Sequence, residues 1–314
     1  MSFEHDFELR RAAMARVREL SRRYNDLIPL GALREGFRYG NRTVSFGSFY
    51  KGIARPSEMR GPAALCLVTA PPKLGRQAPY ADGYDEATKS FVYHYRSPRS
   101  DTRQARAQAE RDNAALRAAV ELAVPLIYFH GIAPGQYVGV CPVVAYHDDP
   151  VARLVRLQAA LPTQDTTAEG ITSSEDVRRY ATVETVVRLH QHRFRTEVLH
   201  AYAGRCAVCA LRESALLQAA HILEDRDPRG YAEVVNGIAM CAIHHLAYDR
   251  NLMGIDPTGV VHISERLLHE HDGPMLTSGL QHFHGQAIRT PRNPRDRPDP
   301  ERLEIRFDRF RAAA

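Results

Sequence analysis

Residues 206–209 read Cys-Ala-Val-Cys and residues 241–244 read Cys-Ala-Ile-His, with 31 residues between the two pairs. Each pair puts two soft or borderline ligands on one tight turn. Two such turns can close a tetrahedral shell of Cys206, Cys209, Cys241 and His244 around a single structural Zn²⁺ ion. The competing explanation, three buried cysteines and a surface histidine, leaves the pairing without a cause. The other two of the five cysteines, Cys66 and Cys141, stand alone in apolar runs (AALCLVTA, YVGVCPVV), as small buried hydrophobes do. Neither they nor the four-ligand group suggests a disulfide framework.

Inside and just after this frame lie His221 (QAAHILEDRDP), Asn236 (EVVNGIAMC) and His245 (CAIHHLAYDR). Fourteen residues separate the first two and eight separate the last two. Over roughly residues 180–265 the sequence resembles the HNH nucleases, whose ββα-metal motif presents a histidine, an asparagine and a second histidine in this order, often with flanking zinc knuckles. The resemblance implies that His221 is the general base for the attacking water. It also implies that Asn236 holds the loop between strand and helix and orients His221 through its amide.

Helix geometry adds to this. His244 and His245 point about 100° apart if the segment is helical, so one can face zinc and the other a different pocket. Asp249, four residues beyond His245, shares its face, and together they can hold one catalytic divalent ion, Mg²⁺, Mn²⁺ or another divalent transition-metal ion. Many relatives place an Asp or His directly before the general-base histidine as a further ligand. Here that position is Ala220, and Gln218 is the nearby polar side chain. Each residue has a plainer reading: His221 as a core histidine, Asp249 as a partner of Arg250, and Asn236-Gly237 as a turn dipeptide.

The preceding stretch reads as a helix from about 178 to 203 that stops at Gly204. Its Arg188, Arg193 and Arg195, with Arg205 beyond it, are candidates for gripping a DNA backbone, although a solvated helix face would look the same. A net charge of +5 and a pI near 9.0 suit a polyanionic partner, and lysine occurs only at Lys51, Lys73 and Lys89 among the many arginines. With no long apolar run and no signal-like N-terminus, the expected protein is soluble and cytoplasmic, without membrane contact.

At 314 residues the chain has room for about two domains. Residues 5–25 carry apolar positions at helical spacing (Phe7, Leu9, Ala13, Val17, Leu20). From 36 to 158 short β-rich runs recur between turn residues, interrupted by one helical stretch at about 102–122. The expected class is α+β, the N-terminal part a curved or barrel-like sheet with helices packed on it. Residues 161–177, polar and rich in Ser and Thr, read as a linker. The proline-rich 290–301 reads as an irregular arm before a final LEIRFDRF element. The expected domains are therefore 1–160, a linker at 161–177, and 178–314.

Within residues 1–160 the stretches YADGY (80–84), FVYHYR (91–96), DNAAL (112–116) and VPLIYFHG (124–131) are similar to signatures of SRA domains of the PUA-like superfamily. These domains flip a modified cytosine out of the duplex. Such a pocket needs aromatic faces and a polar group for the base edge, and Phe46, Phe49, Tyr50, Tyr80, Asp82, Tyr84 and Tyr93 are candidates. The same residues could equally form an ordinary sheet core. An SRA-like reader joined to an HNH module resembles modification-dependent restriction endonucleases of the McrA type. That likeness implies cleavage of double-stranded DNA bearing 5-methylcytosine or 5-hydroxymethylcytosine, with a homodimer making the two nicks. The alternatives are an HNH nuclease reading phosphorothioate or unmodified sequence, and a non-catalytic zinc-containing DNA-binding protein.

Overall fold

The computed structural model describes residues 2–49, 52–71, 83–160, 174–224 and 226–313. They divide into two compact units, Met1–Leu189 and His190–Ala314.

In the first unit, helix α1 (Ser2–Arg23) buries Leu9, Ala13, Val17 and Leu20 completely, a stripe at helical spacing, and ends on Arg22 and Arg23, which suit the negative end of the helix dipole. After β1 (Ile28–Pro29) and α2 (Leu30–Arg34) come the short strands β2 (Phe37–Tyr39), β3 (Arg42–Val44), β4 (Ile53–Ala54), β5 (Cys66–Val68), β6 (Gly83–Asp85) and β7 (Ser90–His94). Helix α3 (Arg103–Glu121) starts where the Thr102 hydroxyl accepts from the Ala105 amide, a side-chain cap. The long strands β8 (Leu126–Ala133) and β9 (Gln136–Asp149) and then β10 (Leu154–Ala159) complete the set.

The sheet runs β4-β5-β8-β9-β10-β7-β6, with β1 also pairing to β9; β5 and β8 are parallel and the other pairs antiparallel. Among the described residues β4 and β6 do not pair, so the sheet is open, and of the expected curved or barrel-like sheet with packed helices the barrel form is not seen. Strand β8 shows why four successive residues, Leu126–Phe129, are all apolar or aromatic: Leu126 and Tyr128 join the core that includes α3, whereas Ile127 and Phe129 join the core that includes α1. Successive side chains point to opposite faces, and a sheet covered on both faces needs a continuous apolar strand. Gly139 on β9 lets α1 approach closely, because a Cβ there would lie 2.5 Å from Val17 Cγ1. Of the expected linker, residues 161–173 lie outside the described residues, and Glu175 already belongs to helix α4 (Glu175–Ala201).

The division between the units falls inside α4. In the second unit its C-terminal half places Phe194 and Val198, with Tyr202 just beyond its end, in a core shared with an antiparallel hairpin of β11 (Leu217–His221) and β12 (Gly237–Cys241). Helix α5 (Ala242–Asp249) follows directly, giving strand, strand and helix in sequence order. A second hairpin, β13 (Met253–Ile255) with β14 (Val261–Ile263), and the short helices α6 (Glu265–Leu268) and α7 (Pro274–Gly279) come next. The proline-rich arm is mostly irregular, with one 3-10 turn at Pro294–Asp296, and leads into α8 (Pro300–Ala313), the helical form of the LEIRFDRF element. No helix of the described residues is long and apolar enough to cross a membrane.

Candidate active site and metal centre

The ligand atoms of Cys206, Cys209, Cys241 and His244 all lie within 4.8 Å of one another. Two turns bring them there. Cys206 sits at the end of the connection from α4, its amide donating to the Leu211 carbonyl, and the Ala207 amide donates to Ala239 on β12, which ties the first pair to the second. Cys241 closes β12 and His244 lies in the first turn of α5. The His244 Nε2–H donates to the Gly279 carbonyl at 2.8 Å, and Nδ1 faces Cys241 Sγ at 3.1 Å and Cys206 Sγ at 3.5 Å. A carbonyl accepting from the far ring nitrogen is the usual support of a metal-bound histidine. The hydrogen bond with Cys241 holds the Cys206 thiol below its ordinary value, and the same contact, with burial, pushes Cys241 up; burial pushes Cys209 up. Three sulfurs and one imidazole nitrogen at this spacing fit Zn²⁺, which would replace the thiol contacts by thiolate ligation.

His245, the next residue, faces away from this cluster into a cleft. The cleft is lined by His221, Ile222, Glu224, Arg226, His245, Asp249, Asn251, Arg306 and Arg309. His245 Nε2 lies 3.3 Å from Asp249 Oδ2, one helical turn on. Its Nδ1 lies 2.6 Å from Gln218 Oε1; the amide oxygen accepts, so Nδ1–H donates, and Nε2 is the ring nitrogen turned to the carboxylate, where the two could share a metal ion. Ala220 is wholly buried and contributes no polar atom. The donor set of imidazole plus carboxylate fits a divalent ion of intermediate hardness that keeps several water or phosphate oxygens.

His221 ends β11 opposite Gly237, and its ring stacks on Phe194 of α4 with centroids 4.1 Å apart and planes 12° apart. Gly237 makes the stack possible, because a Cβ there would lie 2.4 Å from Val198 Cγ2 and 2.9 Å from Phe194 Cζ. Gly237→Ala is therefore expected to push α4 off the hairpin and to destabilise the unit by about 2 kcal/mol, as overpacking does. A thermal melt checks it, and an unchanged transition would show that the helix moves aside at no cost.

Asn236 is fully buried. Its Oδ1 accepts from the Leu223 amide at 3.0 Å, and its Nδ2 donates to the carbonyls of Leu223 at 2.9 Å and Tyr231 at 3.0 Å. Its own carbonyl accepts from the Ile222 amide at 2.9 Å. The residue thus pins the loop that leaves His221, acting on the backbone on its C-terminal side.

The candidate phosphate contacts have varied surroundings. Arg195 is half buried and donates to the carbonyls of Leu217 at 2.9 Å and Ser214 at 3.2 Å, so its guanidinium braces the hairpin. Arg193 pairs with Glu197 at 2.9 Å, Arg188 lies 3.9 Å from Asp26 in the first unit, and Arg205 is half exposed. Sequence reasoning missed Arg306 and Arg309 of α8, which line the cleft from far along the chain.

Of the base-pocket candidates, Phe46 is buried against Phe37 and Phe129, and Tyr93 is buried with its hydroxyl donating to the Val68 carbonyl at 3.2 Å. Both are core residues, since a buried ring has no face left for a base. Phe49 packs on Phe129 and Tyr137, and Tyr84 is half exposed beside Phe91. Tyr50, Tyr80 and Asp82 lie outside the described residues. In the DNAAL stretch, Asn113 is buried and its amide both accepts from the Arg96 amide at 2.8 Å and donates to the Arg96 carbonyl at 3.1 Å, a structural clamp.

Residues 206–256 match the family described as HNH endonuclease. No curated protein sequence matches the chain. A solved structure titled "Modification dependent TagI restriction endonuclease" aligns with a TM-score of 0.32 and 14% sequence identity, covering 93% of this chain and 89% of that one. A likeness that loose places no residue of one protein on a residue of the other.

Proposed function

We propose that this chain, which carries an HNH endonuclease domain over residues 206–256, is a DNA restriction endonuclease whose first unit selects DNA by a cytosine modification and whose second unit hydrolyses the phosphodiester. What carries the nuclease part is a single cleft lined by His221, His245 and Asp249 within the matched span. The selective part is supported by the SRA-like stretches of the first unit alone.

In the proposed reaction His221 takes a proton from the attacking water as that oxygen bonds to phosphorus, a task suited to an imidazole near neutral pH. The bond from phosphorus to the 3′ oxygen breaks, and that oxygen takes a proton from solvent water, leaving a 5′-phosphate and a 3′-hydroxyl. Phe194 fixes the plane of the His221 ring, and Asn236 fixes the backbone beyond it. Gln218 fixes the tautomer of His245, and His245 with Asp249 would hold Mg²⁺ or Mn²⁺. When bound, that ion supplies Lewis-acid polarisation of the phosphate and charge stabilisation at the leaving oxygen. Zinc on the four-ligand cluster would cross-link hairpin to helix and take no part in chemistry. A module with one cleft cuts one strand, so a double-strand break calls for two copies, in the simplest case a homodimer.

The test is digestion of matched plasmids that are unmodified, 5-methylcytosine-bearing, 5-hydroxymethylcytosine-bearing or phosphorothioated. The expected outcome is cleavage confined to the cytosine-modified DNAs. Equal cutting of all four would sink the selective part, and a gel shift with every DNA left intact would favour a zinc-containing binding protein.

A further inference from the structure

The family match ends at residue 256, yet the wall of the cleft facing the histidines includes Arg306 and Arg309 of α8. The two arginines are used differently. Arg306 is buried; it donates to the Asn251 side chain and the Tyr248 carbonyl and lies over the Tyr248 ring, 4.5 Å from its centroid. Tyr248 and Asn251 bracket Asp249 in the chain, so Arg306 holds the end of α5 that presents the Asp249 carboxylate.

Arg309 retains 44% of its side-chain exposure, and its one ion pair among the described residues is with Asp227, Nη2 to Oδ2 at 2.7 Å. Asp227 is 10% exposed and belongs to the loop that follows His221. Its other oxygen already accepts from the Arg229 amide at 3.0 Å and the Arg229 Nε at 3.4 Å. The carboxylate therefore serves two guanidinium groups and would stay compensated if one left. Arg226, on the same loop and in the same cleft, is almost fully exposed.

A planar guanidinium with free donors, held at the edge of a cleft and balanced by a shared carboxylate, suits bidentate exchange onto a phosphate. We propose that α8 supplies a phosphate-binding wall to the nuclease cleft, with Arg309 gripping a backbone phosphodiester of the DNA strand seated there and Asp227 serving as its counter-ion when DNA is absent. The proposal rests on the nuclease reading above, in that the ligand is the strand presented to His221.

The experiment measures binding of a short DNA duplex by the zinc-loaded full chain, with Mg²⁺ and Mn²⁺ withheld, as salt is raised, for wild type, Arg309→Ala, Arg309→Lys and Asp227→Asn. Each protein is also melted. Arg309→Ala is expected to weaken binding about tenfold and to lower the slope of log affinity on log salt by about 0.9, the loss of one phosphate contact. Arg309→Lys should keep the slope. Asp227→Asn, which frees Arg309 while still accepting from Arg229, should bind DNA as well as wild type or a few-fold tighter.

The opposite signs of the two changes carry the test. If the ion pair only braces α8 against the loop, Asp227→Asn and Arg309→Ala will lose affinity together, and the proposal fails. An unchanged salt slope in Arg309→Ala overturns it as well. Wild type that binds with the expected slope but never cuts would sink the nuclease reading and leave the Arg309 result standing. Cutting by wild type with Arg309→Ala indistinguishable in binding would sink the phosphate wall alone.

Discussion

His221→Ala is expected to lower the cleavage rate about a thousandfold while leaving zinc content and DNA affinity at wild-type levels. General-base assistance contributes factors of that order, and His221 is the imidazole in the cleft that neither belongs to the sulfur cluster nor pairs with Asp249. The fold should survive. The ring lies at the end of β11, half exposed, and its removal takes one side from the Phe194 stack at a cost of about 1 kcal/mol. Single-turnover cleavage with a parallel gel shift and melt separates the outcomes. Loss of zinc or of the folded transition would reassign His221 to a structural role. His221→Asn, which keeps a polar planar group but cannot take the proton at neutral pH, should be as inactive as the alanine variant.

The second large effect is removal of the structural metal. Cys206, Cys241 and His244 are buried, and among the described residues the sheets of the second unit are two-stranded, β11 with β12 and β13 with β14. Isolated hairpins are marginal in water and need something to hold them against a helix. Zinc at a site of this type contributes on the order of 10 kcal/mol to folding. Chelation, or Cys241→Ser, is therefore expected to abolish the thermal transition of the second unit and all cleavage. The first unit, whose two cores contain none of the four ligands, should keep its own transition. Scanning calorimetry with and without chelator reads both. A second unit that melts unchanged without metal would show that the hairpins and α8 suffice.

How far the chain could be read from its sequence follows the range of the interactions concerned. The clustering of Cys206, Cys209, Cys241 and His244 and the pairing of His245 with Asp249 were legible because turns and helices fix them within a few residues: two close pairs, and a spacing of four on one helical face. Strand β8 was legible as a strand, since its run Leu126–Phe129 is apolar or aromatic at each position, but nothing local says that alternate residues feed two separate cores. The choice between a closed barrel and an open sheet rests on which distant strands pair, and periodicity is silent on that. Phe46 and Tyr93 illustrate a related limit, because an aromatic ring in a β-rich run has the same sequence signal whether it is buried or lines a pocket. Arg306 and Arg309 were out of reach for a third reason. They lie in a charged helix after a proline-rich arm, and only tertiary packing brings that helix to the cleft. Gln218 falls between these cases, since its nearness to Ala220 is visible in the sequence while its contact with His245 depends on the hairpin register.

The most direct measurement is incubation of supercoiled plasmid carrying 5-methylcytosine with the zinc-loaded protein and Mg²⁺ or Mn²⁺, followed by treatment of any products with a DNA ligase. If His221, His245 and Asp249 form a hydrolytic centre, the plasmid is nicked or linearised only when the divalent ion is added, and the ends rejoin because they carry 5′-phosphate and 3′-hydroxyl. Protein that binds the plasmid yet leaves it supercoiled with both ions, or yields ends that cannot be ligated, contradicts that centre.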